Sequence, residues 1–407
     1  MHYVGIDWAD ASHQIAIVTS EGDCICEFVV NEDDVGLQML HKHLNALTPV
    51  RINIERPDGL LVDWLIQQGF PVFVTPPRIA ARRRPHASKD DRGDARLLAH
   101  LLRMRDEDCR ILHRHSSRVE DLLQVLRAYE QIQRQQLRTA NQLRQVLKQY
   151  YPIMLRLFSD IRTKVALAFL HSYPTPRAAS KLSMDELSAF LRSQRYTRPG
   201  RVSTIHQMLQ TTLPQATVWQ GSAIHAQAIV PVLQALNQQL QNLKREIQKM
   251  FIEHPEAAWW NSLPGAGELT TPRLLALIGD NRSVFPSAEV LQARAGTVPV
   301  TRRSGKAKVV RFRWACDKAL RKAMMDFARN SLSKSGWAHS YYMDQRQQGH
   351  PDPRATRALA NRWARIIWTL WQRREIYDEI KHVANRSRKG RAAIHRPDVA
   401  APLHAYA

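Results

Sequence analysis

Residues 2–31 read HYVGIDWADASHQIAIVTSEGDCICEFVVN and contain three apolar segments separated by polar turns. The segments HYVGID, HQIAIVTS and CICEFVVN have the length and β-branched content of strands, and Glu21-Gly22-Asp23 is a turn signal between the last two. We therefore expect three hairpin-like strands, of which the first ends on Asp7.

Downstream of these strands, helix and strand patterns alternate. They are, in order, a helix at 34–47, a strand RINIE at 51–55, a helix at 60–70 and a strand PVFVTPP at 71–77. The second strand pattern ends on Glu55. Together the patterns predict a mixed sheet with helices on its faces, and hence an α/β domain over residues 1–112.

Two long helices with coiled-coil spacing are predicted in the central region, residues 113–255. Apolar residues recur every three or four positions through 116–150, with a polar lapse at Gln136, and through 229–250 without a lapse. Helices of this kind can pair within one chain or between chains. So regular a pattern also predicts a homo-oligomer.

The remaining sequence favours a mostly helical domain over residues 256–385. It includes a glycine-rich turn, LPGAGELTTPRLLALIGD (263–280), and a basic loop, AGTVPVTRRSGKAKVVRFRW (295–314). Most of the tryptophans, including Trp314, are expected in the core. Residues 386–407 are basic, lack periodicity and predict a flexible tail.

The charge of the chain points to a polyanionic partner. It carries 59 Lys and Arg against 37 Asp and Glu, a formal charge of +22, which favours nucleic acid over a membrane surface. We find no signal peptide and no apolar run of the ~18 residues that span a bilayer. Four scattered cysteines do not form a disulfide framework, and a reducing cytoplasm is expected.

Against this basic background, KDDRGDARLL (89–98) contains three aspartates. Asp91 and Asp94 stand three apart at a helix start and share a face, whereas Asp90 is better placed as the N-cap. With Asp7 and Glu55 they make a set of four carboxylates suited to Mg²⁺, including a pair of ions for phosphoryl transfer. Each acid alone is better explained by capping or by an ordinary strand end, so the metal site is predicted from the four acids together in a basic chain.

Several motifs occur in an order that resembles the insertion-sequence-110 family of transposases, also called DEDD transposases or bridge recombinases. They are YVGIDWADASHQIAIV, IERPDG, Lys89-x-Asp91-x-x-Asp94-Ala95, LPGAGELTTPRLLALIGD and a later Ser-Gly in a basic loop. They span residues 1–345. One departure is WACDKALR (314–321), which lacks the family's Gly-Asn before Leu-Arg.

The resemblance implies an N-terminal RuvC-like (RNase H-like) domain, coiled-coil helices and a C-terminal transposase domain with a serine nucleophile. It places the family's acids on Asp7, Glu55, Asp91 and Asp94, and its nucleophile on Ser304. It further implies a structured guide RNA that pairs with target and donor DNA. A tetramer is implied in which different protomers complete one active site, in a bacterial cytoplasm and near the nucleoid when active.

The loop around Ser304 is rich in cations, which could activate a phosphodiester for attack, and Gly305 allows close backbone approach. Without the resemblance, a solvated loop that touches the DNA backbone is the simpler interpretation. The glycine turn could offer N–H groups to a phosphate, or could be a plain helix connection. The predicted nucleic-acid contacts are Arg82, Arg83, Arg84, Lys89, Gly265, Gly267, Arg302, Arg303, Gly305, Lys306, Lys308, Arg311, Arg313 and Arg321.

Three functions are compatible with these patterns. The first is an RNA-guided DNA recombinase that cuts through Ser304 with Mg²⁺ at the four acids. The second is a RuvC-like nuclease or junction resolvase that uses water as the nucleophile. The third is a nucleic-acid-binding scaffold without catalysis, which charge and coiled coils alone would permit.

Overall fold

The structure is a computed structural model that describes residues 1–84, 90–104, 109–211, 219–304 and 307–385, with the backbone alone for 302, 303, 307 and 308. The chain divides into two compact units, Met1–Arg114 and His115–Ala407. In the ranges described, no helix combines the length and apolar character needed to cross a membrane. The four-part domain division made from the sequence stays a prediction.

The first unit is built on one six-stranded sheet, which confirms the predicted mixed sheet. Its strands are His2–Asp7 (β1), Ser12–Val18 (β2), Cys24–Asn31 (β3), Val50–Ile54 (β4), Val72–Val74 (β5) and Arg110–Ile111 (β6). The order across the sheet is β3-β2-β1-β4-β5-β6. Strand β1 is antiparallel to β2 and parallel to β4, and β4 is parallel to β5.

Helices cover both faces of this sheet. They are Asp34–Ala46 (α1), Leu60–Gln67 (α2), Pro77–Arg83 (α3) and Asp91–Arg103 (α4). Val4 and Ile6 of β1 point to the face where α1 and α2 complete the main core of this unit. Since side chains alternate along a strand, Tyr3, Gly5 and Asp7 point to the opposite face. Helix α4 covers that face, and its Ala99 packs with Tyr3.

The second unit is mostly helical. Its helices are Ser117–Tyr150 (α5), Met154–Leu157 (α6), Lys164–Ser172 (α7), Pro176–Ala179 (α8), Met184–Ser193 (α9), Val202–Leu209 (α10), Gln220–Ile252 (α11), Ala257–Asn261 (α12), Thr270–Ile278 (α13), Ala288–Arg294 (α14), Lys318–Ser331 (α15), Gly336–Gln347 (α16) and Asp352–Arg373 (α17). Short 3₁₀ turns lie at Pro199–Arg201 and Arg282–Val284. Its strands, Val300–Ser304 (β7) and Ala307–Arg311 (β8), form an antiparallel hairpin.

The two long helices predicted from heptad spacing, α5 and α11, pack against each other within the chain. The polar lapse at Gln136 has a partner, because its Nε2 donates to Asn237 Oδ1 at 2.5 Å. Asn237 Nδ2 in turn donates to the Arg162 carbonyl at 2.8 Å. A buried polar layer of this kind fixes the register of paired helices, since a shift would leave both amides without partners.

The N-terminal part of α5 and the C-terminal part of α11 share one core with the C-terminal helices. Val119, Leu126 and Phe251 belong to the same buried cluster as Trp260 of α12 and Trp363 of α17. Leu320 and Phe327 of α15 are also fully buried in it. Because α15 begins soon after β8, this core anchors the base of the β7–β8 hairpin.

Candidate active site

Asp7 and Glu55 lie at the ends of two neighbouring parallel strands. In the register of β1 and β4, Ile6 is paired with Ile54, and Asp7 and Glu55 are the residues that follow this last pair. Neighbouring strands are ~4.8 Å apart, which brings the two carboxylates together at one edge of the sheet. The sequence left open whether their strands are neighbours, and the structure shows that they are.

Gly5 determines how close α4 lies to these acids. A Cβ atom at Gly5 would lie 1.9 Å from the Ala95 carbonyl oxygen and 2.6 Å from the Ala99 nitrogen. Any side chain there would collide with the helix backbone, so glycine is required for this approach. Asp7 is two residues beyond Gly5 on the same face of β1, and it therefore faces α4.

Asn53 fixes the same helix to β4. Its Nδ2 donates to the Leu98 carbonyl of α4 at 2.7 Å and to Thr75 Oγ1 at 3.0 Å, and the side chain is fully buried. Glu55 is two positions beyond Asn53 and directly follows the last residue of β4. Asn53 was not predicted as a site residue, because its hydrogen bond to α4 becomes visible only when the packing of α4 on β4 is known.

The three aspartates of KDDRGDARLL have different surroundings. Asp90 is the N-cap of α4, and its Oδ2 accepts from the Gly93 backbone N–H at 3.2 Å, which confirms the capping role predicted for it. Asp91 is exposed in the first turn. Asp94 is only 4% exposed and lies at the start of the surface that packs on the sheet.

Arg84 is paired with the buried Asp94. Its Nε donates to Oδ1 at 2.5 Å and its Nη2 to Oδ2 at 2.6 Å, a bidentate arrangement. The bond to Asp94 raises the pKa of the Arg84 guanidinium, and the charges of Glu55 and Asp7 raise that pKa further. Arg84 thus lies among three of the four predicted acids. Arg84 was predicted to contact a phosphate, but in this structure its guanidinium donates to the carboxylate of Asp94.

The donor set at this edge suits a cation. In the part of the chain that is described, no three His, Cys, Asp or Glu side chains lie close enough to hold a metal ion. Arg84 lies near three of these acids, since its guanidinium bonds to Asp94 and the charges of Glu55 and Asp7 raise its pKa. Carboxylate oxygens are the ligands that hard divalent cations prefer. The residues therefore fit a divalent metal that would take the place of the Arg84 head group.

The residues that follow the two strand-end acids contact each other. Arg56, next to Glu55, places its guanidinium carbon 4.0 Å from the ring centroid of Trp8, next to Asp7. Contacts of a cation over a tryptophan face contribute ~0.5–2 kcal/mol. This pair ties the ends of β1 and β4 together beside the acids. No sequence pattern indicates this contact, because it depends on the strand register.

Ser304 lies in the second unit, at the last position of β7. It is exposed and is paired across the hairpin with Ala307. Lys89, Gly305 and Lys306 lie outside the described residues, and so do the side chains of Arg302, Arg303 and Lys308. Each unit therefore carries one part of the predicted chemistry, the carboxylates in the first and the serine in the second.

The other predicted nucleic-acid contacts differ in their surroundings. Arg82 and Arg83 are exposed at the end of α3, and Arg311 is exposed on β8. Arg313 Nε donates to the Val298 carbonyl at 3.3 Å. Arg321 Nη2 donates to the Arg313 carbonyl and to Cys316 Sγ, so this head group braces the chain after the hairpin.

The glycine turn has internal partners as well. A Cβ atom at Gly265 would lie 2.5 Å from the Phe327 carbonyl oxygen, so this buried glycine allows close packing of the turn on α15. The Gly267 N–H donates to Thr271 Oγ1 at 3.1 Å. Contact of either glycine with a phosphate stays a prediction, and the described geometry explains both glycines through packing and a local hydrogen bond.

Two family models match the chain. One, described as "Transposase" and specific to DEDD transposases of the IS110 type, matches residues 4–152, which include Asp7, Glu55, Asp91 and Asp94. The other, described as "Transposase IS116/IS110/IS902 family", matches residues 259–343, which include Ser304.

Curated relatives match over almost the whole length. The mini-circle putative transposase for IS117 of Streptomyces coelicolor is 32% identical over 394 residues, or 93% of this chain and 95% of the relative. The uncharacterized 44.8 kDa protein of insertion element IS116 of Streptomyces clavuligerus is 24% identical, and the match covers 92% of this chain and 96% of the relative. The uncharacterized 42 kDa protein of insertion element IS900 of Mycobacterium paratuberculosis is 25% identical, with coverage of 92% and 96%.

Proposed function

Because the chain belongs to the IS110 family of transposases, and is therefore an enzyme of DNA transposition, we propose that it is an RNA-guided recombinase whose nucleophile is Ser304. In this proposal a structured guide RNA pairs with target and donor DNA. Asp7, Glu55, Asp91 and Asp94 hold Mg²⁺. The observation that supports it most is the pairing of Asp7 and Glu55 at adjacent strand ends, beside the buried Asp94.

In the attack, the Ser304 oxygen forms a bond to the scissile phosphorus while the bond from phosphorus to one deoxyribose oxygen breaks. The hydroxyl proton leaves the serine, and the departing deoxyribose oxygen gains a proton. The covalent phosphoserine preserves the phosphodiester energy, so a second DNA hydroxyl can reverse the step without ATP. The exposed position of Ser304 at a hairpin end leaves it accessible to a duplex.

The carboxylates have a separate task. Bound Mg²⁺ would neutralise charge that develops on the phosphate oxygens. Both carboxylate oxygens of Asp94 accept hydrogen bonds from the Arg84 guanidinium. Asp94 must therefore release Arg84 before it can bind a metal ion. The released guanidinium keeps its positive charge, which favours a nearby DNA phosphate. Asn53 and Gly5 keep α4, and with it Asp94, against the two strands throughout.

The partners follow from charge and from the division of labour between the units. A formal charge of +22 suits target DNA, donor DNA and a structured RNA together. We further propose that the carboxylates of one protomer act with the serine of another in a tetramer. The presence of the two groups in separate compact units supports this assembly, since each unit keeps its own core.

The alternative is a metal-dependent nuclease or junction resolvase in which water attacks the phosphate. What favours it is that all four acids belong to the first unit, whereas Ser304 belongs to the second. A scaffold without catalysis is not supported, because the chain belongs to a family of enzymes.

A denaturing gel separates the two mechanisms. Protein, its RNA, labelled target and donor DNA and Mg²⁺ are mixed, and protein–DNA adducts are resolved from free strands. We expect an adduct that is absent in Ser304→Ala and retained in Thr301→Ala, a control at another exposed position of the same strand. Cleavage without an adduct that survives Ser304→Ala would establish the hydrolytic alternative. Cleavage that persists when the RNA is omitted would contradict RNA guidance.

A further inference from the structure

Trp314 is the most exposed of the chain's ten tryptophans, with a relative exposure of 76%. Tryptophan is highly buried on average in folded proteins. Most of the tryptophans were expected in the core, and Trp314 departs from that expectation. A large aromatic side chain held in solvent next to the β7–β8 hairpin therefore calls for a ligand.

The backbone that carries Trp314 is held on both sides. Arg321 Nη2 donates to the Arg313 carbonyl, before Trp314, and to Cys316 Sγ at 2.5 Å, after it. Asp317 N donates to the Arg294 carbonyl at 2.8 Å, and the Asp317 side chain caps α15. The indole thus projects from a segment fixed to the core, which reduces the entropy that a ligand must overcome on binding.

The ring beside Trp314 is surrounded by cations. Phe312 contacts Trp314 edge to face, with ring centroids 4.8 Å apart. The guanidinium carbons of Arg321 and Arg357 lie 4.4 Å and 4.7 Å from the Phe312 centroid. We call Phe312, Trp314, Arg321 and Arg357 the Trp314 platform. It combines an accessible π surface with two positive charges.

The guanidinium groups at the platform lie close enough to affect one another. Burial lowers the pKa of Arg357, and the charges of Arg321 and Arg354 lower that pKa further. Asp317, close by in sequence, uses its carboxylate to accept from the Leu320 N–H. Arg354 is exposed at the start of α17. Crowded guanidiniums beside an exposed indole match an anion attached to a flat, aromatic group.

We propose that the Trp314 platform binds an unpaired nucleotide of the DNA substrate, with its base stacked on Trp314 and its phosphate facing Arg354 and Arg357. Stacking on aromatic side chains combined with phosphate contacts is how proteins hold single strands without reading sequence. The inference rests on the proposed recombinase function for its ligand, but it does not require Ser304 to be the nucleophile.

The position along the hairpin fits this ligand. Ser304 is paired with Ala307 at one end, and Val300 with Arg311 at the other, so the platform begins at the base. Four residues of strand cover ~13 Å, and stacked nucleotides repeat every ~3.4 Å. A strand whose phosphate reached Ser304 would therefore extend about four nucleotides to the base of the hairpin, where the platform begins.

The test is equilibrium binding of fluorescein-labelled oligo-dT of about 12 nucleotides, within known single-strand site sizes, to the full chain. Fluorescence anisotropy is measured at one fixed salt concentration, in a Ser304→Ala background so that covalent chemistry plays no part. The variants are Trp314→Ala, Trp314→Phe and the control Trp219→Ala, which removes another exposed tryptophan of the same unit. A blunt duplex and oligo-U are the comparison ligands.

We expect Trp314→Ala to weaken oligo-dT binding about ten-fold. Trp314→Phe should restore part of that loss, while Trp219→Ala and duplex binding should be unchanged. Equal binding by Trp314→Ala and its parent would overturn the proposal, and so would an equal loss on duplex. A larger loss on oligo-U would overturn the DNA assignment in favour of RNA. A changed oligomeric state with unchanged oligo-dT binding would assign Trp314 to a contact between copies.

Discussion

Arg84 holds both oxygens of Asp94, with Nε to Oδ1 at 2.5 Å and Nη2 to Oδ2 at 2.6 Å. The carboxylate is almost fully buried and the guanidinium is only partly exposed. The pair therefore keeps a charged group stable inside the unit before any metal binds, at the point where Asp7 and Glu55 also meet.

Arg84→Ala should lower the free energy of unfolding by about 3 kcal/mol without Mg²⁺, because a buried charge loses its partner. Added Mg²⁺ should then stabilise the variant more than the parent protein, since no guanidinium competes for Asp94. Thermal unfolding with and without Mg²⁺ measures both effects. Arg82→Ala, which removes an exposed cation of the same helix, serves as the control. An equal Mg²⁺ response in Arg84→Ala and parent would contradict competition at this site.

Asp91→Asn and Asp94→Asn should abolish strand exchange while salt-sensitive DNA binding persists, because each removes a proposed metal ligand and leaves the basic surface intact. Asp90→Asn should keep most activity, since asparagine also caps helices. Recombination assays paired with filter binding at two salt concentrations separate the two effects. An inactive Asp90→Asn would show that the assignment of ligands within KDDRGDARLL is wrong.

Gly5→Ala should inactivate the protein and destabilise it by about 3 kcal/mol, because its Cβ would lie 1.9 Å from the Ala95 carbonyl oxygen. The strand or α4 must move, and Asp7 and Asp94 would separate. Gly221→Ala is the matched control, since a Cβ there meets no atom within 4 Å. Urea unfolding and the adduct gel provide the measurements; a fully active Gly5→Ala would mean that α4 need not lie against β1.

Stability should fall as pH drops from 8 to 5. Burial lowers the pKa of His13 and of His100 below the ordinary value of 6.5. The unfolded chain therefore binds more protons in the window below about 6.5, and acid favours unfolding there. Urea midpoints measured across this range should decline less in His13→Leu than in the parent. A parallel decline in both proteins would remove His13 as a cause.

Much of the fold was predictable because it depends on local periodicity. The strand and helix patterns around Asp7 and Glu55 and the N-cap at Asp90 match the structure. Gln136 was visible only as a lapse in a regular pattern. Its partner Asn237 lies on the other helix, so the hydrogen bond that explains the lapse needed the packing of α5 on α11.

The site was predictable in its residue types and not in its contacts. Carboxylates at strand ends can be predicted from sequence. The Arg84–Asp94 and Arg56–Trp8 contacts cannot, because they depend on how strands and helices pack. The same limit applies to the glycine turn. The sequence pattern of this turn allowed either a phosphate contact or a plain helix connection. The buried position of Gly265 against Phe327 is visible only in the structure.

The carboxylates and the serine belong to two compact units with separate cores. For a mobile element this has a genetic consequence. Under the proposed assembly, a copy that has lost Asp94 and a copy that has lost Ser304 together still encode a complete set of catalytic groups. Two decayed elements in one cell could then complement each other, and selection against their decay would be correspondingly weak.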